Sequence, residues 1–115
     1  MTSDRMRRIN EAMREVLSGA ITTELKDPRV GFVTVTAVET SADLRHARVF
    51  VSVLGDSTIR VDTIDGLQHA HGYLQRKVAE QLRLKHTPQL DFVEDDTARR
   101  ADRIERLLEG GIEPE

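Results

Sequence analysis

The chain has 115 residues, 38% of them hydrophobic, which is enough for one domain with a modest core. It has no cysteine, which excludes disulfides, thiol catalysis and zinc sites built on cysteine ligands. The formal net charge is −3, and no apolar run approaches the roughly 18 residues of a membrane span, so we expect a cytoplasmic protein without membrane contact.

The first half of the chain predicts a helix followed by a β-hairpin. Apolar residues recur at helical spacing over about five turns, Ser3 or Asp4 can cap the start, and the Lys26-Asp27-Pro28 segment ends the helix. Two alternating strands follow, separated by a short polar turn. The predicted core faces of these strands are Val33, Val35 and Ala37 in the first, and Ala47, Val49, Val51 and Val53 in the second.

The second half predicts two helices that meet at a kink, then a third strand and a last helix. The expected buried residues are Val61, Ile64, Leu67 and His71, then Leu74, Val78 and Leu82, then Leu90 and Phe92, and finally Ala101, Ile104 and Leu108. We therefore predict a single α+β domain over residues 3–109, with a flexible tail at residues 110–115. The sheet is expected to be three-stranded and mixed, with helices packed on one face.

The negative charge is concentrated at one end of the sequence. Residues 1–90 hold 13 Lys and Arg against 11 Asp and Glu, a net charge of +2, whereas residues 91–115 have a net charge of −5. Between residues 66 and 88 the cations are Arg76, Lys77, Arg83 and Lys85, against the single acid Glu80. These cations indicate either contact with RNA phosphates or an ordinary solvated helix face with Glu80 in an ion pair.

Further candidate phosphate ligands lie at the starts of the first helix and of the second strand. They are Arg5, Arg7, Arg8, Arg45 and Arg48. On the first helix an intrahelical salt ladder to Glu11 is the alternative to RNA contact. Aromatic residues are only 3% of the chain, which favours recognition of phosphates and shape over base stacking.

No pattern in the sequence indicates catalysis or a metal site. His69 and His71 are two residues apart on a helix, so their rings diverge by about 200° and a shared metal is not expected. The acids at residues 94–96 indicate a helix cap, and Asp43 indicates a turn. Known nucleophile, phosphate-loop and zinc-protease motifs are absent. We expect no enzyme activity, no cofactor and no metal.

Four short motifs occur in a definite order along the chain. They are Lys26-Asp27-Pro28, Ser41-Ala42-Asp43-Leu44, Ala70-His71-Gly72 and Thr87-Pro88-Gln89-Leu90-Asp91-Phe92. With these motifs, over roughly Arg5 to Leu108, the chain resembles the ribosome-binding factor A family. The resemblance implies a type II KH-like fold in which a kink at Ala70 and Gly72 replaces the Gly-x-x-Gly loop of typical KH domains. A bulky residue at position 72 is then expected to distort the groove beside the kink.

The resemblance also implies a function. It implies a non-catalytic bacterial assembly factor that binds the small (30S) ribosomal subunit and its rRNA, and that assists late maturation and rRNA processing. It further implies an association with growth in the cold and release with the help of maturation GTPases. We expect a monomer. The alternative is a KH-like protein–protein interaction module without direct RNA contact.

Overall fold

The computed structural model describes residues 3–109, which form seven elements. They are α1 (Asp4–Thr23), β1 (Val33–Thr40), β2 (His46–Val53), α2 (Ser57–His69), α3 (His71–Leu82), β3 (Gln89–Glu94) and α4 (Thr97–Glu109). The sheet order is β1-β2-β3, with β1 antiparallel to β2 and β2 parallel to β3. Helices α1, α2 and α3 pack against the sheet and enclose the core, so the predicted α+β fold is confirmed. The predicted tail at residues 110–115 lies outside the described residues.

The start of α1 and the turn after its end are both held by side-chain hydrogen bonds. The Ser3 hydroxyl accepts a hydrogen bond from the Met6 N–H at 3.1 Å, as a helix N-cap does. Beyond the helix, the Asp27 carboxylate accepts from the Arg29 N–H at 2.9 Å and pairs with the Arg29 guanidinium at 2.7 Å. These bonds hold the pKa of Asp27 down, at about 2. The buried face of α1 consists of Met13, Leu17, Ala20 and Ile21.

A β-bulge in β1 changes which of its residues face the core. The register with β2 shifts between Val35 and Ala37, so Thr36 is an extra residue on its strand. Beyond the bulge Val38 is buried and Ala37 is only half-buried, so the predicted alternation of β1 is wrong from this point on. The prediction for β2 is confirmed in full, with Ala47, Val49, Val51 and Val53 all buried.

The buried residues of α2 are Thr63, Gly66 and Leu67, so the prediction for Leu67 is confirmed. Val61 was expected in the core but is 59% exposed, whereas Thr63 is fully buried. The Thr63 hydroxyl donates to the Arg29 carbonyl at 3.3 Å, which ties α2 to the loop after α1. At Gly66 a Cβ would come within 2.9 Å of a Val30 methyl group, so glycine permits this close approach. The predicted core residues Leu67 and Ile64 do contact the core, and the contacts of Thr63 and Gly66 with that loop leave Val61 outside it.

Helix α4 is present as predicted, but it has no buried residue. Ile104 and Leu108 of its predicted stripe are 57% and 68% exposed. The helix is anchored at its start, where Asp95 accepts a hydrogen bond from the Thr36 hydroxyl at 2.7 Å. The bulge in β1 therefore serves to hold the turn that leads into α4.

Candidate nucleic-acid interface

The corner between α2 and α3 lies at Ala70. This residue has φ −88° and ψ 10°, its N–H donates to the Gly66 carbonyl at 3.1 Å, and its carbonyl accepts from the Leu74 N–H at 3.1 Å. The two helices therefore follow each other without a loop. Gly72 lies in the first turn of α3 without a positive φ, and a Cβ there would meet no atom within 4 Å. A single Cβ at position 72 therefore fits without a clash, and the distortion of the groove by a bulkier residue stays a prediction.

Two glutamines attach this corner to the free edge of β3. Gln68 donates to the Leu90 carbonyl at 3.1 Å and accepts from the Phe92 N–H at 3.0 Å. From α3, Gln75 accepts from the Leu90 N–H at 3.3 Å. These bonds satisfy backbone groups that an edge strand would otherwise leave without a partner. The sequence analysis did not identify either glutamine, and no motif marks this use of the residue.

A polar cleft of about 690 Å³ opens beside the corner and brings together two predicted phosphate ligands. Arg45 immediately precedes β2, and Lys85 lies in the segment after α3. His71 was expected in the core but is exposed at the cleft, where its Nδ1 donates to the Gln68 carbonyl at 2.8 Å. The complete lining is Arg45, His71, Gln75, Lys85, His86, Thr87 and Gln89.

The turn before β2 positions Arg45. The Asp43 carboxylate accepts hydrogen bonds from the Ser41 hydroxyl at 2.7 Å and from the Arg45 N–H at 3.0 Å, and these lower the pKa of Asp43. The Arg45 carbonyl then accepts from the Gln89 N–H at 2.8 Å, which closes one end of the cleft. The prediction that Asp43 forms a turn is confirmed.

The exposed side of α3 continues the positive charge beyond the cleft. At 100° per residue, Gly72, Arg76 and Ala79 share one stripe, and Arg83 follows at the end of the helix. Arg76, Ala79 and Arg83 are exposed. Among residues 3–109 neither arginine makes an ion pair. The stripe therefore combines two available cations with two residues too small to keep a ligand away.

Lys77 lies on a different side of α3, where it contacts α1. Its Nζ is 2.9 Å from Glu24 and 5.6 Å from the centre of the Tyr73 ring. The Tyr73 hydroxyl also donates to Glu24, and these two bonds lower the pKa of Glu24. The Lys77 charge thus stabilises the α1–α3 contact, and a role for Lys77 in RNA binding stays a prediction.

The arginines of the first turns of α1 are exposed, and part of the expected salt ladder is present. Arg7 pairs with Asp4, and Arg14 pairs with Glu11. Within residues 3–109, Arg5 and Arg8 have no ion pair, so they keep their full charge for a ligand.

Arg48 lies on the outer face of the sheet, between two carboxylates. In register it is flanked by Glu39 on β1 and Asp91 on β3. Two acids beside one arginine make this position a poor one for a phosphate. Arg48 and Arg45 come from neighbouring positions in the sequence, but the structure gives them different electrostatic surroundings.

Within residues 3–109 the structure contains no cluster of three or more side chains suited to hold a metal ion. Over the same residues no helix is both long enough and apolar enough to cross a membrane.

The core order of helix, strand, strand, helix, helix and strand, with a mixed sheet and a cleft beside the helix corner, is consistent with a KH-like domain. The sequence model of the family "Ribosome-binding factor A" matches residues 5–108. This chain belongs to the ribosome-binding factor A family.

Relatives and solved structures agree with this assignment. Ribosome-binding factor A of Anaeromyxobacter sp. (strain K) is 52% identical over 108 residues, covering 93% of this chain and 78% of that protein. The Halothermothrix orenii protein of the same name is 44% identical, covering 94% of this chain and 88% of its own length.

Among solved structures, a candidate ribosome binding factor A from Thermotoga maritima has a TM-score of 0.73 at 34% identity, covering 83% of this chain and 91% of its own. A Thermus thermophilus ribosome binding factor A, fitted as a homology model into a cryo-EM map of its 30S complex, has a TM-score of 0.64 at 25% identity. It covers 76% of this chain and 92% of its own.

Proposed function

We propose that this chain is a non-catalytic assembly factor that binds the small ribosomal subunit and contacts its rRNA through phosphates. The contact surface is the basic face, defined as Arg45 and Lys85 at the cleft with Arg76 and Arg83 on α3. The observation that supports this most strongly is the convergence of Arg45 and Lys85, 40 residues apart in sequence, on one polar cleft. The 30S complex of the Thermus protein supports the choice of partner.

The chemistry of the basic face suits phosphates better than bases. Lysine and arginine side chains release counterions when they contact a nucleic-acid backbone, which makes such binding sensitive to salt. Aromatic platforms for base stacking are missing from the face, because Phe92 is buried and Tyr73 is bonded to Glu24. His71 and Gln75 add hydrogen-bonding groups to the cleft. This combination fits the sugar–phosphate backbone of folded RNA.

The cellular role that we infer follows the family. The chain assists late maturation of the small subunit and processing of its rRNA in the bacterial cytoplasm, and contributes to growth in the cold. It acts as a monomer and leaves with the help of maturation GTPases. Arg5, Arg7, Arg8, Arg48 and Lys77 are secondary candidates for RNA contact.

Co-sedimentation of the full chain with purified immature small subunits at low salt tests this function. The variant combines Arg45→Glu with Lys85→Glu, and its control combines Arg103→Glu with Arg106→Glu, an equal charge change on α4. We expect the cleft variant to lose at least about tenfold in affinity and the control to stay within about twofold. Equal affinities of cleft variant and control would contradict the proposal. Absence of wild-type binding would favour a protein–protein interaction module.

A further inference from the structure

Two side chains of the cleft are each held at one end by a hydrogen bond. His71 begins α3, and its Nδ1 lies 2.8 Å from the Gln68 carbonyl. Gln75 follows one turn later, and its Oε1 accepts from the Leu90 N–H at 3.3 Å. Residues four apart on a helix are neighbours on its surface, and both of these side chains line the cleft. The cleft therefore contains two polar side chains whose orientation is fixed by the fold.

The bond to Gln68 determines which nitrogen of His71 accepts a hydrogen bond. A carbonyl oxygen only accepts, so Nδ1 carries the proton of the neutral ring. Nε2 of the same ring is then an acceptor, and His71 is exposed at the cleft. The cleft thus offers an acceptor close to its cations. A phosphate oxygen, which also only accepts, has no use for such a group.

The bond to Leu90 has the opposite effect on Gln75. A backbone N–H only donates, so it takes the amide oxygen of Gln75 and leaves the amide NH2 group for the cleft. This NH2 group is a donor. One acceptor, from His71, and one donor, from Gln75, therefore lie one helical turn apart in the lining of the same cleft.

An acceptor close to a donor is complementary to a hydroxyl group, which can both donate and accept. The 2′-hydroxyl of RNA has this chemistry, and it lies beside the phosphates that Arg45 and Lys85 of the same cleft attract. DNA carries the same phosphates but lacks this hydroxyl. A cleft with both kinds of group can therefore distinguish the two nucleic acids without reading a base.

We propose that His71 and Gln75 form a ribose subsite, at which a 2′-hydroxyl of RNA donates to Nε2 of His71 and accepts from the NH2 group of Gln75. The subsite rests on the proposed phosphate contact of Arg45 and Lys85. It adds selectivity for RNA over DNA to a contact that charge alone leaves unselective. The two cations recognise the phosphates, and the two polar side chains recognise the sugar.

Fluorescence anisotropy of the full chain with two labelled RNA hairpins of the same sequence tests the proposal at low salt. One hairpin carries ribose, and the other carries 2′-fluoro ribose, which preserves the A-form and the phosphates but cannot donate a hydrogen bond. A pH of about 8 keeps imidazole neutral. The variant is His71→Asn, whose amide can still donate to the Gln68 carbonyl but has no atom in the place of Nε2. The matched control is His69→Asn, at an exposed position outside the cleft lining.

We expect the wild type to bind the ribose hairpin about tenfold more tightly than the 2′-fluoro hairpin. His71→Asn should reduce this ratio to about twofold, whereas His69→Asn should leave it unchanged. Arg45→Gln combined with Lys85→Gln should weaken binding of both hairpins by similar factors and keep the ratio. A failed ribose subsite thus changes the ratio, and a failed phosphate contact changes the response to the two cations.

Nitrogen-15 NMR of the histidine rings tests the subsite independently of affinity. In the free chain we expect His71 to carry its proton on Nδ1, as the bond to Gln68 requires. The Nε2 resonance should shift when the ribose hairpin is added, and it should shift less with the 2′-fluoro hairpin.

Three results would overturn the ribose subsite. The first is equal affinity of the wild type for the two hairpins, or no binding of either at millimolar concentration, while binding to immature small subunits still decides the proposed function. The second is the same affinity ratio in His71→Asn as in His69→Asn. The third is a free chain in which the His71 proton resides mainly on Nε2.

Discussion

At the scale of single residues, the two glycines of the α2–α3 region have opposite surroundings. A Cβ at Gly66 would lie 2.9 Å from a Val30 methyl group and 3.3 Å from the Arg29 Cβ, whereas a Cβ at Gly72 would meet nothing within 4 Å. The same residue type therefore serves close packing at position 66, whereas nothing packs against position 72.

This contrast gives a paired prediction. Gly66→Ala should lower the free energy of unfolding by about 1–2 kcal/mol, because the added methyl group overpacks the contact with the loop after α1. Gly72→Ala should raise it by roughly 0.5–1 kcal/mol, because alanine is the better helix former. Urea unfolding of the two variants measures both effects. Equal destabilisation would show that the corner does need glycine at position 72.

Two aspartates predict how stability depends on pH. Hydrogen bonds depress the pKa of Asp27 and Asp95 from 3.8 to about 2 in the folded chain. A depressed pKa means that the folded state binds protons less readily than the unfolded state, so the stabilisation is complete above about pH 5 and is lost as the pH falls through 4 towards 2.

Urea midpoints measured from pH 6 to pH 2 check this dependence. We expect a plateau above about pH 5 and a decline below pH 4 that is shallower in Asp27→Asn and Asp95→Asn than in the wild type. A decline of the same steepness in both variants would mean that other carboxylates cause it.

At the scale of elements, the contact of the α2–α3 corner with β3 depends on glutamine side chains. Gln68 meets both a carbonyl and an N–H of β3, at Leu90 and Phe92. Replacing it with Leu should cost about 1–3 kcal/mol, because both backbone groups lose a partner in a part-buried position. Hydrogen exchange of the Phe92 amide reports the effect directly. Unchanged protection there would contradict a role for Gln68 in fixing the corner.

The elements also show what the sequence could predict. All seven appear in the expected order, because periodicity and caps such as Ser3 are local signals. The bulge at Thr36 was not predicted, and the Thr36 side chain bonds to the Asp95 carboxylate before α4, a partner too distant in sequence for a local pattern to indicate. For α2 the prediction is confirmed at Leu67 and wrong at Val61, because Thr63 and Gly66 pack against the loop after α1 instead. A periodic pattern in the sequence carries no information about contacts between segments that are far apart along the chain.

The candidate site also combines features that the sequence predicts with features that only the fold determines. Composition and spacing selected Arg45 and Lys85 individually, but only the fold brings them to one cleft. Lys77 was selected with Arg76 on the same helix, yet the structure directs Lys77 to Glu24 and leaves Arg76 exposed. A residue's charge can be identified from sequence, whereas the partners that neutralise it depend on tertiary packing.

At the scale of the whole molecule, charge and apolar exposure are segregated along the direction of β2. The basic face, with Arg45, lies at the start of the strand, and the exposed apolar side chains of Phe32 and Leu54 lie at its other end. The net charge of −3 conceals the basic face, because it is the sum of +2 over residues 1–90 and −5 over residues 91–115.

The salt dependence of binding to purified small subunits tests the central claim most directly. Arg45→Gln with Lys85→Gln removes two cations from the cleft without adding negative charge. Since each phosphate contact contributes roughly 0.7–0.9 to the slope of log affinity against log salt concentration, we predict a slope about 1.5 units shallower than that of the wild type, together with weaker binding at low salt. An unchanged slope and unchanged affinity would contradict phosphate binding at this cleft.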